Sequence, residues 1–207
     1  GFLRPVPRLL LLFHLRQGQR VSRPSPLPSP NLPTHMNHRS HTTPLTIRPA
    51  VEADLPRLQE IFAHARRFMA SSGNPCQWTG GYPSDQLLRD DIASGDSYVC
   101  LHKGRIVATF LLRGGDDPTY AEIYDGAWLA DCPYATIHRI ASSGEVRGVM
   151  HSVMAFALSR YKSLRIDTHR DNTVMQNAVL KEGFRYCGII HCWSGDERLA
   201  YQYLPPD

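Results

Sequence analysis

No stretch of this 207-residue chain is both long and apolar enough to span a bilayer. The nearest thing, residues 9–13, is short, is followed by His14 and Arg16, and lacks a small-residue cleavage site, which argues against a secretory signal. Cys-x-x-Cys pairs are also missing. The five cysteines, Cys76, Cys100, Cys132, Cys187 and Cys192, are odd in number and dispersed, so a disulfide framework or a cysteine zinc site is not expected. The ten histidines are scattered too, and His191 beside Cys192 reads as strand sequence rather than a ligand pair. Reduced thiols, no metal and a cytoplasmic location are the corresponding expectations. There is no internal repeat.

Acidic residues are absent from residues 1–44, which hold six arginines (Arg4, Arg8, Arg16, Arg20, Arg23, Arg39) and a crowd of prolines between Pro24 and Pro33. Such a stretch cannot build a core. It is expected to be a disordered or non-native leader, with translation from upstream of a start at Met36 favoured over a targeting segment or a nucleic-acid-binding arm. Setting those six arginines aside leaves 17 basic against 19 acidic residues, so the body from residue 45 to 207 carries a formal charge of −2. The chain's net +4 therefore belongs to the leader. Nucleic acid and membrane are not expected as partners of the body.

What is present is a regular alternation of strand and helix signals. Residues 45–50 read as a strand. Asp54 is then expected to cap a helix in which Leu55, Leu58, Ile61, Phe62, Ala65 and Met69 recur at helical spacing, closed by Gly73. Ser84 starts a shorter helix with Leu87, Leu88 and Ile92, and the connector between the two, around Trp78, Gly80 and Gly81, has the character of a substrate-side loop. Residues 97–102 and 105–112 flank Lys103-Gly104, a hairpin signal. Residues 120–124 are expected to extend the sheet, residues 135–142 to form a strand, and residues 146–161 a helix. In residues 164–168, Leu164, Ile166 and Thr168 alternate with Arg165 and Asp167. Asp171 or Asn172 then caps a helix whose apolar face is Val174, Met175, Ala178 and Val179, and Gly183 ends it before strands at 184–190 and 198–204.

Asp171, Asn172, Met175, Gln176, Lys181, Gly183, Phe184 and Gly188-Ile189-Ile190, at this spacing, resemble the later conserved segment of the GNAT superfamily, the acyl-CoA-dependent N-acyltransferases. The element order over residues 45–205 is similar to that family's order throughout. The resemblance implies an α/β (α+β) fold: a single mixed, mostly antiparallel, twisted sheet of about seven strands with helices on both faces. It implies an N-acetyltransferase moving acetyl from acetyl-CoA, as co-substrate, to a primary amine of a small molecule by direct attack. The alternative is a catalytically impaired acyl-CoA-binding or regulatory domain. A homodimer is compatible with either.

The resemblance also assigns residues. The loop from Glu145 to Met150 stands where the family holds the cofactor diphosphate on a helix N-terminus, with Val146, Arg147, Gly148, Val149 and Met150 as binding residues. Gly148 keeps the family pattern, whereas Glu145 adds negative charge near phosphates and Met150 crowds a close approach. The backbone of Ile140, Ala141 and Ser142 is implied to pair with the pantetheine arm where the strands at 135–142 and 164–168 splay apart. Asn172 and Met175 are implied cofactor contacts, with helix capping the other reading for Asn172.

From the chemistry of amide formation, His138 is the first base candidate, sharing strand parity with Tyr134 and Thr136; a histidine bonded to backbone is the alternative. Arg139 is an alternative anchor for an acidic substrate. Asp167 and His169, which share a strand face by alternation, follow as second candidates, with pairing to each other or to Arg165 as the other reading. Many family members place a thiolate-protonating Tyr where this chain has Val179, so Tyr134, Tyr186 and Tyr201 are considered as replacements.

Overall fold

The computed structural model describes residues 45–206, and the expected leader over residues 1–44 lies outside them. Strand β1 (Thr46–Pro49) leads through a 3-10 turn (Glu52–Asp54) into helix α1 (Leu55–Ser71), followed by α2 (Asp85–Ala93). Then come β2 (Ser97–His102), β3 (Arg105–Gly114), a second 3-10 turn (Pro118–Tyr120), β4 (Ala135–Ser142) and α3 (Val149–Leu158). The chain finishes with β5 (Leu164–Thr168), α4 (Thr173–Lys181), β6 (Arg185–His191) and β7 (Glu197–Tyr203). The seven strands form one sheet in the order β1-β2-β3-β4-β5-β7-β6, in which only β4 and β5 run parallel. No helix among the described residues is long and apolar enough to cross a membrane.

Local chemistry accounts for the boundaries. The Ser84 hydroxyl accepts from the Leu87 amide at 3.2 Å and so starts α2. Lys103 and Gly104 both take positive φ (50° and 78°), the conformation a two-residue hairpin between β2 and β3 requires. Asp54 does not cap α1 as expected. Its carboxylate instead receives both Arg48 Nη atoms, at 2.7 and 2.9 Å, and the Val51 amide, and the Arg48 hydrogen bond foremost holds its carboxyl below the usual range. Helix α3 is shorter than the expected 146–161 because Gly148 adopts φ 79°, which breaks the helical path and leaves it as the N-cap. Residues 120–124 do not form a strand. Asp117 caps the 3-10 turn there, and a single bridge from Tyr124 to Ile189 is what joins this segment to the sheet.

The core lies on both faces. On one, Val153, Met154 and Ala157 of α3 and Val179 of α4 pack on Phe110, Leu112, Ala135, Ile137, Leu164 and Ile166. On the other, Leu55, Leu58, Ile61 and Phe62 of α1, with Leu88 of α2, pack on Val99 and Ala141. Strand β4 serves both faces because it contains one residue more than its partner. Leu111 opposes His138 whereas Thr109 opposes Ala141, and Arg139 takes φ 48° at the irregularity. Ala135 and Ile137 therefore point one way, and after the bulge Ile140 takes over that face while Ala141 joins α1.

Candidate active site

Two observations on the sheet define a site. Strand β4 pairs with β5 only at Ala135–Leu164 and Thr136–Arg165, so from residue 137 onward the two parallel strands diverge with no ladder between their facing edges. Strand β5 is fully paired with β7 on its other side, which leaves the opening between β4 and β5 alone. A cavity of about 780 Å³ occupies it and runs toward α1 and the 76–82 connector. Backbone amides and carbonyls on diverging strands need partners, and an amide-bearing chain laid into the opening can supply them.

One end of the cavity is made by backbone. Ile140, Ala141 and Ser142 line it, and the chain then turns through Gly144 to Gly148 into the start of α3, where Val146, Gly148, Val149 and Met150 line it as well. No side chain caps α3, so the amides of its first turn are available to an anion, reinforced by the helix dipole. Arg147 is not among the lining residues. Glu145 turns away from this end: Arg57 donates to its Oε1 at 2.7 Å and Arg105 lies 3.6 Å from Oε2, which neutralises the charge that the sequence set against phosphate binding. Met150 packs partly into the core beside α3 and forms wall. These features fit an acyl-CoA: an uncapped helix start for the diphosphate and unpaired strand edges for the amide-bearing arm.

The other end is made by side chains. His138 projects from β4 on the face opposite Ala135 and Ile137, and its Nε2 lies 2.8 Å from Asp117 Oδ2. An ionised carboxylate can only accept, so that contact places the proton on Nε2 and leaves Nδ1 with its lone pair. Burial works against ionisation of Asp117, but hydrogen bonds from His138 and from the Thr119 hydroxyl and amide outweigh it and hold the carboxyl well below its usual range. The Asp117 amide in turn donates to the Tyr134 hydroxyl at 3.0 Å. On the other side of the ring, Asp167 Oδ1 lies 3.7 Å from Nδ1 and accepts from the Tyr120 hydroxyl at 2.7 Å. Burial, reinforced by Asp167, pushes the Tyr120 phenol well above its ordinary pKa, so it stays a donor.

The structure thus brings His138 and Asp167 together on one cavity wall, with Tyr134 behind them bracing Asp117. It does not bring His169 there. Strand β5 ends at Thr168, and the His169 Nδ1 accepts from the Asp171 amide at 3.2 Å, outside the cavity lining. Asn172 caps α4, with Oδ1 accepting from the Met175 amide at 3.1 Å and Nδ2 donating to Gln77 at 2.8 Å; its side chain and that of Met175 face the cavity with these bonds already made. Arg139 is not a free anchor for an acidic substrate, because its Nη2 donates to Asp91 at 2.6 Å. Val179 is fully buried in the core, and neither Tyr134, Tyr186 nor Tyr201 lines the cavity. Tyr82 does. Arg139 Nη1 donates to its oxygen at 3.1 Å, which leaves its own O–H proton for the cavity.

Asp117, Tyr120 and Tyr82 are the residues that sequence reasoning missed. A local signal existed for the first, since Asp117-Pro118-Thr119 is a capped-turn sequence, but nothing in it indicates that the turn closes on His138, 21 positions away.

A splayed parallel pair inside an otherwise antiparallel sheet, with an uncapped helix start at one end and a histidine between carboxylates at the other, is an architecture suited to an acyltransferase. Comparison with solved structures agrees. An acetyltransferase of the GNAT family from Streptococcus agalactiae 2603 is 30% identical, with a TM-score of 0.73, covering 81% of this chain and 99% of that one. The chain belongs to the GNAT family of acetyltransferases. Two further structures share the fold: a GNAT acetyltransferase from Listeria monocytogenes 4b F2365 (18% identity, TM-score 0.58, 77% of this chain and 94% of that one) and a phosphinothricin acetyltransferase from Sinorhizobium meliloti, in complex with AcCoA (16%, 0.51, 77% and 88%). No family model matches the chain, and no curated protein does.

Proposed function

We propose that this protein transfers an acetyl group from acetyl-CoA to the primary amine of a small molecule by direct attack, with His138 as general base. The observation that carries the reading is the placement of His138 between Asp117 and Asp167, on a cavity that extends to the uncapped start of α3. The AcCoA held by the Sinorhizobium meliloti relative supports the choice of acyl donor.

Acetyl-CoA, when bound, supplies the activated acyl carbon. Gly148 and the first amides of α3 hold its anionic end, and the free edges of β4 and β5 orient its arm. The chain's own part in the chemistry is proton handling. Asp117 fixes the tautomer of His138, so that Nδ1 is the atom that receives the amine proton. Once protonated, the ring sits between the carboxylates of Asp117 and Asp167. Overall, a neutral amine forms the N–C bond as the C–S bond breaks, the sulfur leaves with the electron pair, and one proton passes from nitrogen to the free thiol. Tyr82 offers the cavity's tyrosine hydroxyl for that return.

A second reading, an acyl-CoA-binding domain without efficient turnover, draws support from Val179 and from the absence of Tyr134, Tyr186 and Tyr201 from the cavity wall. Thiol release from acetyl-CoA by the full chain, with a panel of primary amines, separates the two. Amine-dependent release that is lost in His138→Ala supports the transferase. Heat of acetyl-CoA binding with no release from any amine supports the binding domain.

A further inference from the structure

Resting on the transferase reading, the geometry points to an acceptor of one chemical class: a cationic amine with an apolar or aromatic body and no carboxylate. The cavity's charges lead there. Three arginines line it among the described residues, and each already has an acid: Arg139 with Asp91 at 2.6 Å, Arg113 with Asp96 at 2.8 Å, and Arg198 with Asp196 at 3.8 Å. No lysine lines it among those residues. Asp117 and Asp167 are in the opposite situation. Neither meets an arginine or lysine among the described residues, and their partners are hydroxyls, one amide and the His138 ring.

That wall is therefore negative in either state of the histidine. With one ring proton the trio carries two negative charges, and with two it still carries one. Desolvating a substrate carboxylate beside it, without an unpaired guanidinium to receive it, is costly. An ammonium is suited to the same place. The 3.7 Å separation of His138 Nδ1 from Asp167 Oδ1 is too long for a hydrogen bond, and both atoms are acceptors, so a group with several N–H donors can bridge them. The ammonium gives up one proton to solvent by way of Nδ1 on becoming the neutral nucleophile, which leaves Nδ1 free to take the second proton as the N–C bond forms.

The remaining walls fit the rest of such a molecule. Phe68, Trp78 and Trp193 face the cavity, and Trp193 is 82% exposed at its rim. Trp78 is held edge-on to Phe62 at 5.6 Å between ring centres. Aromatic faces of this kind accept apolar or aromatic bodies and attract cations. Thr168 adds a buried hydroxyl without a partner on the cavity wall.

Matched pairs of amine and amino acid test the assignment: tryptamine with tryptophan, tyramine with tyrosine, putrescine with ornithine. For the full chain at saturating acetyl-CoA, kcat/KM for at least one amine is expected to exceed that of its carboxylated partner by about tenfold or more. Calorimetry of the same amines against the protein loaded with CoA gives a readout that needs no turnover. There, Asp167→Asn is expected to weaken amine binding about tenfold while acetyl-CoA affinity is unchanged. Amino acids used as well as or better than their amines would overturn the assignment and leave the transferase reading intact. Asp167-dependent amine binding without thiol release would overturn the transferase reading and leave the cation site. Absence of amine binding to the CoA-loaded protein overturns the cation site.

Discussion

The two ends of the cavity are built from different materials. At the α3 end the groups facing the ligand belong to the main chain: the strand edge at Ile140–Ser142 without a β5 partner, the left-handed Gly148 and the uncapped first turn. At the His138 end they are side chains drawn from β4, β5 and the turn before Tyr120, locked by hydrogen bonds of 2.7 to 3.0 Å. The first end presents backbone to the cavity and should tolerate substitutions that keep the path. The second depends on individual functional groups. This difference explains how Glu145 is compatible with the loop proposed to hold the diphosphate: its side chain is directed to Arg57 and Arg105.

Substitutions sharpen or break the contrast. The largest effect is expected at the side-chain end, where His138→Ala lowers kcat by roughly 10²–10⁴-fold, as for loss of a general base, with acetyl-CoA affinity unchanged by calorimetry. Asp117→Asn comes next. It removes the charge that fixes the ring and turns one of the two accepting oxygens into a donor, and loss of charge-assisted hydrogen bonds at this part-buried site costs about 1–3 kcal/mol of stability at neutral pH. Because the Asp117 pKa is depressed in the folded state from an ordinary 3.8, that stabilisation is complete above this value and fades as pH falls below it toward the lower folded pKa. Urea unfolding of the two proteins should accordingly converge as the pH drops through this range. A cost that stays constant with pH would show that the carboxylate's charge is not what matters.

At the backbone end the sign of the experiment is reversed, since adding a side chain does the harm. Gly148→Ala places a Cβ at φ 79° and is expected to cost about 1–2 kcal/mol at that residue. The loop relaxes to escape it, and acetyl-CoA binding weakens by up to about tenfold. The smallest effect is expected for Glu145→Gln, which leaves the amides in place and changes acetyl-CoA affinity by less than about threefold. If Glu145→Gln instead altered affinity more than Gly148→Ala, the diphosphate would be held by side-chain charge and the contrast would fail.

The same division governs what could be read from sequence. The hairpin at Lys103-Gly104 and the cap at Asn172 follow from local pattern, because short-range backbone chemistry determines them, whereas the splay between β4 and β5 was accessible only through the family resemblance, and α3 starts after Gly148 rather than at residue 146. His138 and Asp167 were within reach through strand parity. Parity failed one residue beyond the strand: His169 was grouped with Asp167 by alternation, yet β5 stops at Thr168 and the ring turns to the following amide. Asp117 was out of reach since its partner is fixed by how the 115–134 segment folds back over β4, which no local periodicity encodes. Tyr120 was read as sheet for the same reason; its aromatic character suits a strand, and tertiary packing against Trp128 and Tyr134 places it in a turn.

The extra residue in β4, Arg139, stands outside the alternation of its strand, so the facing of its neighbours does not depend on it. Deleting it would restore simple alternation with β3 and leave Ile140 to Ser142 on the faces they already occupy, while removing the guanidinium that ties this strand to Asp91 and Tyr82.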